Sequence, residues 1–184
     1  MTSILGIAGS LRQGSYNRSL LSAAVALAPE GMRIDIGPID DVPLYNGDVE
    51  EKDGIPAAVR NLKDAAAAAD GLLLVTPEYN NSIPGVFKNV IDWMSRPPKD
   101  MGRVFGGKPV AILGASPSGF GTILSQEAWL QVLRSLNTQP WFGGSLMVSR
   151  ASSKFENGRL TDPDSRKFLG AFLSGYAGFL SDRG

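Results

Sequence analysis

The segment GSLRQGSYN, residues 9–17, concentrates groups that can hold an anion. It follows a short apolar run at residues 3–8 and precedes an amphipathic run at residues 18–28, so we expect it to connect a strand to a helix. Backbone N–H groups at the start of a helix have no partner within the helix, and the helix dipole adds positive potential there. A loop in this position is therefore predicted to bind a phosphate or a similar anion.

Four side chains of this loop supply further donors. Ser10, Ser15 and Asn17 carry short hydroxyl or amide groups, and Arg12 carries a guanidinium group that suits the oxygens of a phosphate. No acidic residue occurs before Glu30, so no nearby carboxylate repels a dianion. An ordinary strand-to-helix turn with small polar caps is the alternative for this loop taken alone.

Two familiar nucleotide-binding motifs do not fit this loop. Gly9 and Gly14 have the spacing of the P-loop, but Ser15 and Tyr16 replace the Lys-Ser/Thr pair that holds the phosphates and magnesium. The glycines at 6, 9 and 14 also fail to form the G-x-G-x-x-G pattern of dinucleotide-binding proteins. ATP and the pyrophosphate of a dinucleotide are therefore poor candidates for this site.

A second polar loop, TPEYNNSIPG at residues 76–85, follows the most apolar segment of the chain. Prolines at both ends stiffen it and fix the directions of the remaining amides. It crowds hydrogen-bonding groups and one aromatic ring at the end of a predicted strand, and these include Pro77, Glu78, Tyr79 and Asn80. Such a loop suits the rim of a flat heterocycle; a surface loop with Tyr79 covering the core is the alternative.

A third loop, ASPSGFG at residues 115–121, follows another apolar run. It offers the hydroxyl of Ser116, and Gly119 allows the backbone to approach a ligand closely. The same glycine could equally serve a turn.

The composition limits the chemistry that side chains can perform. The 184 residues include no cysteine and no histidine, so thiolate nucleophiles, imidazole catalysis, disulfides and Cys/His zinc sites are excluded. Eighteen basic and 18 acidic residues cancel, which gives no electrostatic reason to expect nucleic acid as a partner. No targeting signal or membrane-spanning run is recognised, so we expect a cytoplasmic protein with one domain over residues 1–184, no membrane insertion and no bound metal. For an enzyme of this composition, a cofactor is expected to carry the chemistry.

Short apolar runs alternate with helical patterns along the chain. Predicted strands lie at residues 3–8, 32–36, 71–76, 109–114 and 144–148, and predicted helices at 17–28, 55–69, 87–94, 122–136 and 163–181. Asn17 is the expected N-cap of the first helix, and Phe168 is expected to face the core in the last. This alternation predicts an α/β, flavodoxin-like, doubly wound sheet of five parallel strands in the order 2-1-3-4-5, with helices on both faces. Ligands of such sheets bind at the carboxyl ends of the strands, where the three loops converge.

The first two loops together resemble a known family. The patterns G-S-x-R-x-x-S-x-N and T-P-E-Y-N-x-S-x-P-G-x-x-K-N-x-I-D-W are typical of flavodoxin-like NAD(P)H-dependent FMN reductases, and this chain is most similar to the bacterial quinone and chromate reductases and their azoreductase-like members. The resemblance implies that FMN is bound non-covalently. Its phosphate would contact Ser10, Arg12, Ser15 and Asn17, its ring would be bordered by residues 77–80, and Ser116 and Gly119 would lie near the ribityl chain or ring edge.

The resemblance also implies an activity and an assembly. NADPH or NADH would reduce the bound FMN, and a quinone or a similar acceptor (azo, nitro, chromate or free flavin) would then be reduced, with no protein side chain acting as acid or base. The family forms homodimers or homotetramers, for which the tryptophans at 93, 129 and 141 are candidate contacts, and Arg96 is a candidate substrate-binding residue. A flavodoxin-type electron carrier and a flavin-free nucleotide-binding domain remain as alternatives, although zero net charge and Arg12 argue against the carrier.

Overall fold

A computed structural model describes residues 1–182 and places one parallel sheet at the centre of the molecule. Its strands, in chain order, are β1 Thr2–Ala8, β2 Met32–Ile36, β3 Gly71–Val75, β4 Pro109–Ala115, β5 Gln139–Pro140 and β6 Leu146–Val148. The spatial order β2-β1-β3-β4-β5 confirms the predicted topology. The predicted fifth strand at 144–148 is shorter than expected, and β5 and β6 both pair with β4.

The split between β5 and β6 has a local cause. Trp141 leaves the strand direction and packs its indole against the rings of Phe172 and Tyr176. A Cβ atom at Gly143 or Gly144 would lie 2.5 Å or 2.8 Å from that indole, so only glycine fits at these two positions. The chain therefore bends around the indole before it rejoins the sheet.

Seven α-helices cover the sheet in the described part of the chain. They are α1 Tyr16–Ala26, α2 Gly47–Asp53, α3 Ala57–Ala68, α4 Gly85–Met94, α5 Met101–Phe105, α6 Ile123–Ser135 and α7 Pro163–Ser181. Two 3₁₀ turns, Pro98–Asp100 and Ala151–Ser153, and an antiparallel hairpin of β7 Phe155–Glu156 and β8 Arg159–Leu160 complete the secondary structure. None of these helices is long and apolar enough to cross a membrane.

The helices form two layers, one on each face of the sheet. Leu73 and Val75 of β3 belong to the core beneath α1 and α7, whereas Leu72 and Leu74 belong to the core beneath α3, α4 and α6. All four side chains are completely buried, because successive residues of a strand point to opposite, equally covered faces. This double burial explains why the segment GLLLV is apolar without alternation.

Some helix boundaries and orientations differ from the sequence predictions. Ser15, not Asn17, is the N-cap of α1, and its Oγ accepts hydrogen bonds from the backbone N–H groups of Asn17 and Arg18 at 3.2 Å and 3.4 Å. The prediction for Phe168 is also wrong, because this ring is 59% exposed on α7 while Phe172 points inward. Helices α2 and α5 were not predicted; α2 has no buried residue and hence no apolar stripe to reveal it.

The tryptophans occupy positions that the sequence did not predict. Trp93 and Trp129 are fully buried, so the expectation that they form contacts between subunits is wrong. Trp93 Nε1 donates to the carbonyl oxygen of Pro43 at 2.9 Å, and Trp129 Nε1 donates to Thr76 Oγ1 at 3.0 Å. Each indole therefore pairs its one polar group inside the subunit while filling the core.

Candidate functional site

The three polar loops meet in one open cleft at the carboxyl ends of β1, β3 and β4. The cleft has a volume of about 90 Å³. Its lining includes every predicted cofactor-binding residue except Asn80 and Gly119, and it adds Tyr16, Ala115 and Pro117, which the sequence did not single out. The structure thus brings together residues that are more than a hundred positions apart in the chain.

The first loop is folded by its own serines. Ser10 is buried and its Oγ accepts a hydrogen bond from the backbone N–H of Arg12 at 3.3 Å. Gly9 lies so close to helix α4 that a Cβ atom there would come within 2.1 Å of the Phe87 ring, so a larger residue would displace the loop. This packing fixes the position of the donors around the cleft.

Arg12 is the one residue of this loop whose charge is uncompensated. Its side chain is exposed, and within residues 1–182 it forms no hydrogen bond or salt bridge. By contrast, Arg18 at the start of α1 is paired with Asp40 at 2.5 Å. Arg12 therefore leaves its five N–H donors available to a ligand at the edge of the cleft.

Asn17 ties the first loop to the end of β4. Its Oδ1 accepts a hydrogen bond from the backbone N–H of Ala115 at 2.8 Å, and its Nδ2 donates to the carbonyl oxygen of Ala115 at 2.9 Å. Strand β3 has ended at Val75, so the amide of Asn17 takes the place of a neighbouring strand for Ala115. The structure gives this side chain a positioning contact, and its predicted contact with a phosphate stays a prediction.

Glu78 connects the second loop to helix α6. Its Oε2 accepts hydrogen bonds from the backbone N–H groups of Leu124 and Ser125 at 2.9 Å and 3.0 Å. Thr122, the N-cap residue of α6, forms no side-chain cap of its own. A carboxylate from another loop therefore satisfies the free N–H groups and the helix dipole, and it fixes the distance between the second loop and α6.

Asn80 shapes the tip of the second loop. Asn80 and Asn81 have φ values of 49° and 62°, and Tyr79 and Ser82 exchange two backbone hydrogen bonds across them at 3.2 Å and 3.1 Å. Two successive left-handed residues form the type of tight turn that favours asparagine or glycine. The turn holds Tyr79, 49% exposed, at the cleft, whereas Asn80 itself lies outside the lining.

Besides Asn80, two further predicted site residues lie away from the cleft lining. Gly119 belongs to the third loop but has open space around its Cβ position. Arg96 follows the end of α4, where its Nε donates to Glu50 Oε2 at 2.8 Å, and Tyr45 donates its hydroxyl to the same oxygen at 3.0 Å. The structure thus uses Arg96 to attach α2 to α4, and it does not place Arg96 among the lining residues.

The Arg96 contact changes the ionisation of its partners. The pKa of the Glu50 carboxyl lies below its usual value of 4.5, mainly because Arg96 donates a hydrogen bond to it, and this outweighs the opposite effect of burial. The pKa of Tyr45 is raised, mainly by its hydrogen bond to Glu50. Within residues 1–182 no group of three or more acidic side chains is arranged to hold a metal ion.

Comparison with known proteins identifies the family. The family model of NADPH-dependent FMN reductases matches residues 2–153. The chain belongs to this family. An NAD(P)H-dependent FMN reductase of Pseudomonas aeruginosa is 47% identical over 167 residues, which cover 90% of this chain and 88% of the relative. A 2-hydroxy-1,4-benzoquinone reductase of a Burkholderia species is 40% identical over 185 residues, covering 96% and 95% of the two chains.

A solved structure supports the assignment to the family of FMN reductases. The flavoenzyme NAD(P)H:(acceptor) oxidoreductase of Paracoccus denitrificans superposes with a TM-score of 0.87 at 31% identity, covering 99% of this chain and 98% of that chain. The cleft described above fits the cofactor of this family, because buried serine hydroxyls, the positive end of the α1 dipole and an unpaired guanidinium suit a phosphate, while Tyr79, Pro77 and Pro117 offer an apolar edge for a ring.

Replacing Arg12 by alanine is expected to weaken the binding of FMN. Loss of a hydrogen bond to a charged group costs about 1.5–3 kcal/mol, which raises the dissociation constant by roughly 10- to 150-fold. Fluorescence titration of the apoprotein with FMN measures this change. Arg134→Ala is the matched control, because Arg134 is exposed in the last turn of α6, far from the loops at its start. Equal FMN affinity of the two variants would contradict the phosphate assignment.

Removing the Glu78 carboxylate is expected to destabilise the protein even in the absence of FMN. Glu78→Ala leaves the first N–H groups of α6 without their partner, and the loss of a helix cap costs about 0.5–2 kcal/mol. Glu78→Gln keeps one oxygen acceptor and should therefore lose less stability. Urea denaturation of the apoproteins gives the free energy of unfolding of wild type and of each variant. Identical values for wild type and Glu78→Ala would rule out the capping role.

The Glu50–Arg96 pair predicts a particular dependence of stability on pH. Since folding lowers the pKa of Glu50, its ionised form stabilises the protein above pH 4.5, and this contribution is lost as the pH falls through the lowered pKa of the folded state. Wild type should therefore have a higher Tm than Glu50→Gln at pH 7, and the difference should shrink below pH 4.5. Glu51→Gln removes the same charge from an exposed neighbour and should show no such convergence. Parallel Tm curves for wild type and Glu50→Gln would refute the pairing.

Proposed function

We propose that this protein is an FMN-dependent oxidoreductase that transfers electrons from NADH or NADPH to a quinone or a similar small acceptor. The observation that carries the proposal is the single cleft in which Arg12, Tyr79 and Ser116 come together from three separate loops. Relatives named for FMN reduction and for quinone reduction support both halves of the reaction. Azo, nitro and chromate compounds and free flavin are further acceptors of the same chemical character.

The side chains around the cleft bind and orient; the cofactor supplies the redox chemistry. When bound, FMN provides a site that takes a hydride from C4 of the nicotinamide and passes two electrons to the acceptor. The complete reaction is NAD(P)H + H⁺ + quinone → NAD(P)⁺ + hydroquinone, and the protons come from solvent. We assign Ser10, Arg12 and Ser15 to the phosphate and residues 77–79 and Ser116 to the remainder of the cofactor, with Asn17, Glu78 and Asn80 holding the loops in place. Hydride transfer requires no acid or base from the protein, which is consistent with a chain that has no histidine or cysteine.

We further propose that the protein acts in the cytoplasm as a homodimer or homotetramer. Support for assembly comes from an apolar patch beside α4, where Leu44 is 83% exposed and Tyr45 and Val49 are 39% and 37% exposed. A separate groove lined by Ile83, Met101 and other residues runs between α4 and α6. Apolar surface of this kind is typical of contacts between subunits. Sedimentation equilibrium gives the mass directly, and a monomer at 50–100 µM (about a hundred times a typical assay concentration) would refute this part of the proposal.

Direct reduction of the flavin by a nicotinamide nucleotide tests the proposed reaction. The FMN-loaded protein, mixed with NADH or NADPH without oxygen, should lose its absorbance near 450 nm, which is roughly where oxidised flavins absorb. Adding a quinone should restore the colour, and each nucleotide should be tested separately. A flavodoxin-type carrier would keep its colour until a partner reductase is added, and a protein that binds no FMN at all would contradict both readings.

A further inference from the structure

Each of the three loops that border the cleft carries an exposed apolar side chain. Leu11 on the first loop is 47% exposed, Tyr79 on the second loop is 49% exposed, and Phe120 on the third loop is 83% exposed. Each of the three loops that supply polar groups to the cleft therefore also carries a large apolar group in contact with water. Exposed apolar groups around a polar site usually mark the place where a ligand docks.

Phe120 is attached to the cleft at both ends of its segment. On one side, Ser118 accepts a hydrogen bond at its Oγ from the hydroxyl of Ser116, a lining residue, at 3.1 Å. On the other side, the backbone N–H of Leu124 donates to Glu78, also a lining residue, at 2.9 Å. Phe120 therefore lies on a short segment that is tied to the cleft lining on both sides.

The ring of Phe120 has no packing role within the described residues. It forms none of the aromatic ring contacts found in residues 1–182, and most of its surface lies in water. Gly119 before it has no atom within 4 Å of its Cβ position, which leaves room for the backbone to turn. Gly121 after it is held in the left-handed region, with φ of 67°, against Met147. On the other side, the carbonyl oxygen of Ser118 accepts a hydrogen bond from the backbone N–H of Arg150 at 2.9 Å, so Phe120 stands between two fixed points of the loop.

We propose that Phe120 is a specificity-determining residue, whose ring packs on a flat apolar acceptor such as a quinone and favours it over small hydrophilic acceptors. This inference rests on the proposed function. Offset or edge-to-face contact with an aromatic ring also strengthens the binding of a planar molecule beyond the effect of buried area.

Binding measured without turnover tests the inference. The oxidised, FMN-loaded enzyme is titrated with 1,4-naphthoquinone in the absence of NADH and NADPH, so that no electrons are transferred. Phe120→Ala should raise the dissociation constant of the quinone about tenfold, whereas Phe120→Tyr should restore it. The dissociation constant of FMN should not change. Phe168→Ala is the matched control, because Phe168 is an exposed phenylalanine on α7, outside the three loops that form the cleft.

Reoxidation kinetics separate this inference from the proposed function. Enzyme reduced without oxygen is mixed in a stopped-flow instrument with naphthoquinone or with ferricyanide, a small hydrophilic anion that accepts one electron per molecule. At limiting concentrations of naphthoquinone, Phe120→Ala should lower the rate of reoxidation about tenfold. The rate of reoxidation by ferricyanide should not change. Three results for Phe120→Ala would each overturn the inference: an unchanged dissociation constant for the quinone, an equal loss of reoxidation rate with both acceptors, or weakened binding of FMN. A wild-type enzyme that NADH and NADPH do not reduce would instead overturn the proposed function, while the titration would still test the contact with quinone.

Discussion

The paired hydrogen bonds between Asn17 and Ala115 are the constraint on which the site depends. They join residues 98 positions apart, and both groups of the Asn17 amide and both backbone groups of Ala115 are used and buried. A parallel sheet must leave unpaired backbone groups where one strand ends before its neighbour, and burying them unpaired costs about 1–3 kcal/mol each. Here the first turn of α1 meets that need, so the first loop is held in place relative to the end of β4. The same contact that completes the sheet therefore closes one side of the cleft.

Hydrogen bonds between distant segments also hold the second loop in place, on the side that faces α6. Thr76 lies at the end of β3, where its Oγ1 accepts a hydrogen bond from the buried Trp129 indole and lies 2.9 Å from the Ser125 hydroxyl. Glu78, two residues later, caps α6 from outside the helix. Helix α6 therefore positions the second loop through the side chains of Ser125 and Trp129 and two backbone N–H groups, just as α1 positions the third loop. The described residues contain no buried side-chain nitrogen or oxygen without a partner, so protein groups alone complete the hydrogen bonds that position these loops.

The sequence predicts the sheet well because its physical signal is local. An apolar run such as residues 71–75 has one plausible environment, a strand covered on both faces, and the topology follows from the alternation with helices. Roles that depend on tertiary contacts were harder to predict. Trp93 falls outside the apolar stripe of α4, but the segment before α2 covers it, and no pattern within α4 reveals a partner 50 positions away. Asn17 similarly matches a helix cap in type, yet Ser15 has the extended backbone that a cap needs. The Asn80–Asn81 pair carried a readable turn signal, because two asparagines in succession favour left-handed backbone.

Side chains that a sequence motif brings together need not perform the same task. Within the two motifs of this chain, Arg12 has its donors free, whereas the Asn17 amide is hydrogen-bonded to the backbone of β4 and the Glu78 carboxylate accepts from the backbone of α6. A motif therefore records both the contacts to the ligand and the contacts that keep the loops in register, and spacing alone cannot separate the two. The backbone of the third loop is tied as well, since Ser118 accepts a hydrogen bond from the backbone N–H of Arg150 at 2.9 Å and Ser116 is bonded to Val148 and Ala151. The exposed Phe120 side chain takes no part in these contacts. Differences in acceptor preference among proteins with this cleft should therefore arise at such side chains, because they can change without disturbing the hydrogen bonds that hold the loops together.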